Sequence, residues 1–325
     1  MTPLVDSGSK PNASPQRMKC TAAVIAYNHV RFIRQTLDSV LMQQTNFDFE
    51  ILISDDYSTD GTRQIIQQYA NDHPEKIRLR FSEKNVGAGI AVVRALEAAR
   101  GELIAFLDGD DYWTSPDKLQ KQVAFMELHP ELTLSWHDGW DVDSEGRKLY
   151  HKGSPIPATT HVDFRRMLRD PINAVPMSVM IRRSAVFPIP TWYQDCPIGD
   201  HPLWLLCLRS GFGGHLPEDL GEYRVHRGGY MNCHNEIGIH NLLLQTYRHY
   251  LVHLDPEYRQ IVRKRLARLW QGMASLRWQY GTRTEARQAA IDGLKDCPGD
   301  FRLWIIAHAP WLWMGFRACT SLFSR

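Results

Sequence analysis

The chain has 325 residues, enough for one large domain or two modest ones, and its 43% hydrophobic and 23% charged residues are typical of a globular protein. The formal net charge is only +2, and we expect no nucleic-acid partner. Residues 1–18 contain no apolar run of the kind that a signal peptide carries, so we predict a disordered lead-in there.

Cysteine usage indicates the compartment. The six cysteines are scattered along the chain without any C-x-x-C pair. This spacing fits reduced thiols in a cytosol better than a disulfide framework or a zinc motif, so we expect a cytoplasmic protein.

Four apolar runs in the first third of the chain predict buried strands, at residues 21–26, 49–54, 77–81 and 101–107. Segments with apolar residues at helical spacing lie between them, at residues 30–42, 62–69 and 87–99. This alternation predicts an α/β fold with a doubly wound, mostly parallel sheet. In such sheets, ligands bind beyond the carboxyl ends of the strands.

Polar residues follow each of the four predicted strands. They are Tyr27 and Asn28, Asp55 and Asp56, Asn85, and the acidic group Asp108, Asp110 and Asp111. Because the carboxyl ends of parallel strands meet at one edge, we expect these side chains to form one ligand site.

The acidic group after the fourth strand predicts a metal site. Asp108, Asp110 and Asp111 repel one another unless a cation lies between them, and Gly109 allows the tight turn that would bring them together. Oxygen ligands suit Mg²⁺ or Mn²⁺ better than zinc. The alternative is an acidic turn that caps the next helix, for which residues 115–117 (Ser-Pro-Asp) are a good start.

These motifs together resemble the family 2 glycosyltransferases of GT-A fold, over about residues 19–130. The motifs are Ala26-Tyr-Asn28, Ser54-Asp-Asp-Tyr-Ser-Thr-Asp-Gly-Thr62, Asn85-Val-Gly87, and Phe106-Leu-Asp-Gly-Asp-Asp111 followed by Pro116. Tyr57 departs from the family, which usually has Gly or Asn at this position. No G-x-G-x-x-G or G-x-x-x-x-G-K-[ST] motif follows a strand.

The resemblance implies a GT-A domain over residues 19–235 that binds a nucleoside-diphosphate sugar, with a UDP-sugar the first choice. In that comparison Asp56 meets the base, Tyr27 helps to hold it, and Asp110 and Asp111 serve the ribose and an Mn²⁺ or Mg²⁺ ion. The same comparison makes further residues candidates for donor binding, namely Ala26, Asn28, Asp55, Asn85 and Asp108.

The middle of the chain predicts further elements of this domain. Residues 132–138 and 177–182 are predicted strands, and residues 162–168 a short helix. Residues 141–146 begin like a calcium loop but lack its final Glu, so we predict a hairpin turn.

Asp200 is the candidate catalytic base. An acceptor hydroxyl must lose its proton as it attacks the anomeric carbon, so a transferase of this kind needs such a residue. Gly199-Asp200 lies just before an apolar helix at residues 203–208, which resembles the position of the base in the family. Asp200 as a helix N-cap is the structural alternative, and Asp195 is the rival base.

The segment at residues 222–229 resembles the Tyr-Arg-x-His sequence that closes many domains of this family. The resemblance implies that Arg224 contacts the diphosphate and that His226 completes the metal site. The alternative is a strand-end histidine in a polar loop.

Residues 236–325 predict a helical C-terminal region packed on this domain, with helices at residues 242–251, 256–280 and 284–294. Residues 240–325 also hold 13 Lys and Arg against 6 Asp and Glu. The aromatic, amphipathic tail at residues 301–317 is too short to span a bilayer and suits an interfacial helix on anionic lipids. A helix buried in the core or in a homodimer interface is the alternative.

The sequence therefore predicts a metal-dependent, inverting glycosyltransferase, with a cell-surface or lipid-linked glycan as acceptor. A cytoplasmic enzyme with a basic, aromatic tail would then lie at the inner face of the membrane. Two alternatives are a sugar-phosphate nucleotidyltransferase and a nucleotide-sugar-binding protein without catalysis.

Overall fold

The computed structural model describes residues 18–158, 160–172, 174–229 and 233–310. Within these residues the strands are β1 (Cys20–Ala26), β2 (Phe49–Asp55), β3 (Ile77–Phe81), β4 (Leu103–Asp108), β5 (Tyr112–Trp113), β6 (Leu132–Val142), β7 (Lys148–Lys152), β8 (Met180–Arg182) and β9 (Phe212–Arg224). The α-helices are α1 (Ile33–Leu41), α2 (Thr62–Asp72), α3 (Ala88–Ala98), α4 (Lys118–Leu128), α5 (Phe164–Arg169), α6 (Arg183–Val186), α7 (Asp200–Cys207), α8 (Glu236–His253), α9 (Arg259–Tyr280), α10 (Arg283–Asp296) and α11 (Phe301–His308).

These nine strands form one sheet. Eight of them follow the order β3-β2-β1-β4-β8-β6-β9-β5, and β7 pairs with β6 outside this order. The parallel half, β3-β2-β1-β4, matches the predicted doubly wound arrangement. Its strands are apolar on both faces because helices cover both sides: Ala22 of β1 packs with the core that includes Ile33, whereas Ala23 packs with the core that includes Leu96.

The other half of the sheet, β8-β6-β9-β5 with β7, is mixed, which agrees with the prediction of a mostly parallel sheet. β8 runs antiparallel to both β4 and β6, β5 runs antiparallel to β9, and only β6 and β9 are parallel. A tight hairpin joins β6 to β7, as the sequence predicts for residues 141–146. Antiparallel pairs need no crossover helix, so this half can be built from hairpins and irregular segments.

Three predicted elements begin later than expected. Helix α1 starts at Ile33 instead of residue 30, because the backbone N–H groups of His29 and Val30 donate to Thr62 and Asp60 in the next loop. Helix α4 starts at Lys118, after an N-cap at position 117 that makes no side-chain capping bond. A 3₁₀-helix at Pro176–Ser178 precedes β8 and shortens the strand predicted at residues 177–182.

The helices of the C-terminal region share a core with the sheet. Leu244 of α8 and Trp270 of α9 belong to the same buried cluster as Phe106 of β4. Helix α11 begins the predicted aromatic tail, and residues 311–317 of that tail lie outside the described residues, as do residues 1–17 of the predicted lead-in. In the part of the chain that the structure describes, no helix combines the length and apolarity needed to cross a bilayer.

Candidate active site

The polar residues that follow the parallel strands meet at one edge of the sheet, as predicted. Strand register sets Ala26 of β1 beside Asp55 of β2, and Ile25 of β1 beside Asp108 of β4. The loops after these strands therefore leave the sheet side by side.

Asp56 connects two of these loops. Its backbone N–H donates to the carbonyl of Ala26 at 2.9 Å. Its buried carboxylate accepts hydrogen bonds from the N–H groups of Val86 (2.9 Å) and Gly87 (2.8 Å), which lie beside the exposed Asn85. Asp56 therefore fixes the loop after β3 relative to the loop after β1.

Two of the predicted donor ligands are buried in this structure. Ala26 and Asp55 are both 0% exposed. The last residue of a strand that is covered on both faces still points into the protein. Asp55 instead pairs through Oδ2 with Arg63 of α2, at 2.7 Å.

Two tyrosines are exposed around the Asp56 loop. Tyr27 is 46% and Tyr57 is 43% exposed. Tyr57 has a φ of +68°, a left-handed conformation that is uncommon for a large side chain and tends to occur at functional sites. Arg63 lies 4.6 Å from the centre of the Phe81 ring and 5.6 Å from that of Tyr57, so it supports the Tyr57 ring from below.

Asn28 holds the first loop in place. It too has a positive φ, of +57°. Its side-chain Oδ1 accepts from the N–H of Thr59 at 2.9 Å, and its own N–H donates to Ser58 Oγ at 2.9 Å. Asn28 was predicted to bind the donor, and in the structure it ties the loop after β1 to the loop after β2.

The acidic loop at residues 108–111 is held from beneath by α1. The hydroxyl of Thr36 donates to the carbonyls of Gly109 (3.0 Å) and Asp111 (2.7 Å). A Cβ at Gly109 would lie 2.7 Å from His29 Nδ1, so a larger residue does not fit there. These contacts give the acidic turn one defined conformation.

Asp110 lies between two imidazoles. Its Oδ2 is 2.9 Å from His226 Nε2 and 3.6 Å from His29 Nε2. Burial alone would raise the pKa of Asp110, but these two histidines outweigh it and hold the pKa below its usual value. His226, predicted as a metal ligand, is directed at Asp110 itself, so in this structure it orients the carboxylate.

Asp108 and Asp111 have no such support. Although part of the Asp108 side chain reaches solvent, burial, followed by repulsion from Asp110 and Asp200, raises its pKa to about 8. Burial and the neighbouring carboxylates also raise the pKa of Asp111 well above its usual value. Asp111 Oδ1 accepts from the backbone N–H of Arg224 at 2.7 Å, whereas its buried Oδ2 has no partner within the described ranges.

This donor set fits a hard divalent cation. It offers carboxylate oxygens that repel one another, one of them buried without a hydrogen bond, and it includes no thiolate. Oxygen ligands of this kind are those preferred by Mg²⁺ and Mn²⁺.

Arg224 corrects another prediction. Its side chain was expected to contact a diphosphate, yet Arg224 is only 3% exposed. The guanidinium donates to the carbonyls of Asp110 (2.8 Å), Asp143 and Ser144 (3.2 Å each) and to Gln35 Oε1 (2.7 Å). Arg224 therefore braces the acidic loop against α1 and the β6–β7 turn, and all of its guanidinium nitrogens are engaged within the protein.

Asp200 is the first residue of α7. Its negative charge contributes, after burial and Asp110, to the raised pKa of Asp108. Burial raises the pKa of Asp200 itself. Its Oδ1 accepts from the N–H of His201 at 2.6 Å, but no side-chain bond caps the helix at Gly199, so the capping alternative is not observed. Asp195, the rival base, is exposed at the end of a 3₁₀-helix.

The surroundings of Asp200 include residues that the sequence did not single out. Tyr193 donates through its hydroxyl to the carbonyl of Gly199 at 2.9 Å. His201 Nδ1 lies 2.8 Å from the hydroxyl of Tyr250 in α8, so the C-terminal region helps to position the start of α7.

Tyr223 of β9 is affected by the charges of the carboxylate cluster. Burial, followed by the negative charges of Asp111, Asp108, Asp110 and Asp200 in that order, raises its pKa. These four acids come from two distant segments of the chain. A strand-end tyrosine carries no sequence signal for this role.

Other solved structures share this fold. The chain aligns with S. aureus TarS in complex with UDP-GlcNAc at a TM-score of 0.62 and 20% identity, over 86% of this chain and 82% of that one. It aligns with the mannosyltransferase PcManGT from Pyrobaculum calidifontis, in complex with GDP-Man and Mn²⁺, at a TM-score of 0.57 and 18% identity, over 92% and 88%.

Two relatives resemble the chain in sequence. The putative teichuronic acid biosynthesis glycosyltransferase TuaG from Bacillus subtilis is 48% identical over 209 residues, which cover 62% of this chain and 76% of TuaG. The uncharacterized protein Rv1520 from Mycobacterium tuberculosis is 36% identical over 210 residues, or 63% of this chain, and the match spans 58% of that relative's length. Residues 21–186 match the model of glycosyl transferase family 2, and the chain belongs to this family.

Proposed function

We propose that the protein is a metal-dependent, inverting glycosyltransferase that moves a sugar from a nucleoside-diphosphate sugar to a hydroxyl acceptor. The observation that carries this proposal is the acidic loop, where Asp110 lies 2.9 Å from His226 and the buried Asp111 Oδ2 has no hydrogen-bond partner among the described residues. The negative charge of Asp200 also contributes to the raised pKa of Asp108. A base beside a cation site is the arrangement that sugar transfer to a hydroxyl requires.

Asp108, Asp110 and Asp111 would hold an Mn²⁺ or Mg²⁺ ion, which when bound neutralises charge on the departing nucleoside diphosphate. His29 and His226 fix the direction of the Asp110 carboxylate through Oδ2. Arg224 keeps the backbone of the acidic loop in place through the Asp110 carbonyl. The protein thus orients its carboxylates before a donor arrives.

Asp200 would accept the proton of the acceptor hydroxyl as its oxygen attacks the anomeric carbon. The bond between that carbon and the diphosphate oxygen breaks, and the configuration inverts because attack occurs on the face opposite the leaving group. A buried carboxylate with a raised pKa is a stronger base than an exposed one, which favours Asp200 over Asp195.

The donor base would lie at the loops after β1, β2 and β3. Tyr27 and Tyr57 offer exposed ring faces for stacking, and Asn85 offers an exposed amide. The buried Asp56 would act through the loop after β3, which it holds in place. UDP-sugars are the first candidates, in line with the UDP-GlcNAc complex of TarS.

The acceptor is proposed to be a cell-surface or lipid-linked glycan, as the biosynthetic role printed for TuaG suggests. Phe301 and Trp304 of α11 are exposed and stacked, 6.4 Å apart, beside the basic residues of the C-terminal region. This face suits peripheral contact with anionic lipids at the inner side of the cytoplasmic membrane, or else a homodimer interface. Flotation with anionic vesicles tests this: equal binding by the wild type and by a Phe301→Ser/Trp304→Ser variant would refute it.

The central test is release of nucleoside diphosphate from a panel of nucleotide sugars with Mn²⁺ or Mg²⁺, with and without EDTA. We expect slow, metal-dependent hydrolysis of one donor, abolished by EDTA and by Asp110→Asn. Asp72→Asn, which changes an exposed aspartate at the end of α2, serves as the matched control. Donor hydrolysis that continues undiminished in EDTA would contradict the proposal.

A further inference from the structure

A second group of metal-ligating side chains lies at the opposite edge of the sheet. His129 is the C-cap residue of α4, Glu131 directly precedes β6, and His161 directly precedes the isolated bridge between Val162 and Gly213. One ligand atom from each of the three residues lies within 4.8 Å of the other two. Strand β6 separates this group from the acidic loop by roughly 30 Å, at about 3.3 Å per residue.

The distances within the group match those around a metal ion. Glu131 Oε1 lies 3.4 Å from His129 Nδ1 and 3.4 Å from His161 Nε2. These separations exceed the usual N–H···O range of about 2.7–3.2 Å. In a tetrahedral zinc site with bonds of about 2.0–2.1 Å, neighbouring ligand atoms are about 3.3–3.4 Å apart. The carboxylate oxygen is therefore spaced from both imidazoles as a shared ion would require.

The backbone around the group is fixed by hydrogen bonds of the sheet. The Glu131 carbonyl accepts from the N–H of Phe212 at 3.1 Å, and Val162 and Gly213 exchange two bonds of 2.9 and 2.8 Å. These bonds hold the chain beside Glu131 and beside His161 against the same strand, β9. Because the backbone is already ordered, an ion would bind here at a low cost in conformational entropy.

The side chains are also held, yet remain open to solvent. The His129 ring packs on Phe125 with centroids 4.9 Å apart, and the His161 ring packs on Phe212 at 5.6 Å. The side chains of His129, Glu131 and His161 are 39%, 38% and 40% exposed, so an ion can enter and water can take a fourth position.

We propose that His129, Glu131 and His161 form a Zn²⁺ site that is separate from the donor site. Two imidazoles and one carboxylate are a ligand set that zinc prefers, whereas the oxygen ligands of the acidic loop prefer Mg²⁺ or Mn²⁺. The bound ion would join the end of α4, the start of β6 and the segment that leads into α5. Its role is to stabilise this edge of the sheet.

The test measures Zn²⁺ binding to the full chain by equilibrium dialysis, with excess Mg²⁺ present to occupy the acidic loop. We expect one equivalent of Zn²⁺ per chain and a zinc-dependent rise in the melting temperature. His129→Ala and His161→Ala should each weaken binding at least tenfold and remove that rise, while melting like the wild type without zinc.

His151→Ala is the matched control. His151 is 45% exposed and pairs with one carboxylate, Asp219, at 2.8 Å, so it resembles His161 without belonging to the three-residue group. This variant should bind zinc as the wild type does. Equal zinc binding by the wild type and His161→Ala would overturn the proposal, as would binding that is lost in Asp110→Asn but kept in His161→Ala. Neither readout depends on glycosyl transfer, so failure here would leave the proposed function standing.

Discussion

The parallel and mixed halves of the sheet treat their polar groups differently. In the parallel half, the loops around Asn28, Asp56 and Asp60 are joined by hydrogen bonds to one another. In the mixed half and at its junction with β4, Asp111 Oδ2, Lys118 Nζ and His137 Nε2 are buried without hydrogen-bond partners among the described residues. The parallel half also has such atoms, His29 Nδ1 and Asp55 Oδ1, but the Asp55 carboxylate is paired with Arg63 through its other oxygen.

This difference distinguishes the hydrogen-bonded loops of the parallel half from the buried charged groups of the mixed half. Loops that satisfy their own hydrogen bonds can present Tyr27 and Tyr57 to a ligand without rearranging. Burial raises the pKa of Asp111 and of Asp200, and a raised pKa or an unused lone pair is what a base or a metal ligand requires. The candidate site therefore combines loops that are joined by hydrogen bonds with buried carboxylates whose pKa values are raised.

The largest expected effect is a loss of turnover without a loss of nucleotide affinity, and it would assign these two functions to different halves of the sheet. Asp200→Asn removes the proposed base while keeping its size, so turnover with the acceptor should fall about 10²–10⁴-fold. Nucleoside diphosphate affinity should stay within about twofold of the wild type, because the donor loops belong to the parallel half. Initial rates and calorimetric titration of the nucleotide measure these two quantities.

Asp195→Asn is the control for this change, because Asp195 is the exposed rival on the preceding 3₁₀-helix. It should leave turnover nearly unchanged. A loss of turnover in Asp195→Asn together with an active Asp200→Asn would exchange the two assignments. Full turnover in both variants would argue against an aspartate base in this segment.

A second prediction concerns the unpaired groups of the mixed half. Lys118 is fully buried, and its Nζ lies 4.0 Å from the centre of the Trp113 ring. Burial lowers its pKa from 10.5 to about 7, against a smaller opposing effect of Cys20. Lys118→Met should therefore raise the free energy of unfolding by about 1–3 kcal/mol at neutral pH.

The pH dependence of the stability gain in Lys118→Met tests whether the buried charge is its cause. Below about pH 7 both the folded and the unfolded chain hold the Lys118 proton, so the cost of burying it is complete. From about pH 7 to 10.5 the folded chain has lost this proton and the unfolded chain has not, so the cost declines as pH rises. The advantage of Lys118→Met in denaturant unfolding should shrink accordingly. Lys121→Met, on the exposed face of the same helix, should give no such slope, and a pH-independent gain for Lys118→Met would contradict this explanation.

The smallest expected effect lies in the parallel half. Tyr57→Gly relieves a positive φ and removes a ring proposed to stack on the donor base, so the affinity for nucleoside diphosphate should fall about five- to tenfold. Stability should be unchanged or higher by up to about 1 kcal/mol, since Gly accepts this conformation at little cost. Tyr57→Phe keeps the ring and should bind as the wild type does. Unchanged affinity in Tyr57→Gly would show that the ring does not contact the base.

Sequence reasoning located the parallel half well because its signals are local. Each strand is a continuous apolar run, and each polar group follows the strand directly, so the meeting of Asp56 and Asp108 at one edge could be expected. The direction of individual side chains could not be predicted. A shift of one position along the chain decides whether an aspartate points inward, as Asp55 does, or beyond the strand.

The residues that the sequence missed make contacts between distant segments. His29 reaches Asp110, Thr36 holds the acidic loop, and Tyr250 contacts His201 from the C-terminal helices. None of these side chains has a local pattern that distinguishes it from an ordinary helix or loop residue. Arg224 was identified as a cation near the site, but its burial turns it from a diphosphate contact into a brace.

The contacts that Arg224 and His226 make with the acidic loop can form only late in synthesis of the chain. They span 113 to 116 residues of the chain, so a ribosome must translate β9 and the residue two beyond it before the loop can acquire these partners. A nascent chain that has just completed the segment matching the family model already holds all four parallel strands and the acidic loop, but not Asp200, Arg224 or His226. The parallel strands and the acidic loop are therefore translated before Asp200, Arg224 and His226, so the acidic loop gains its contacts with β9 and His226 only later in synthesis.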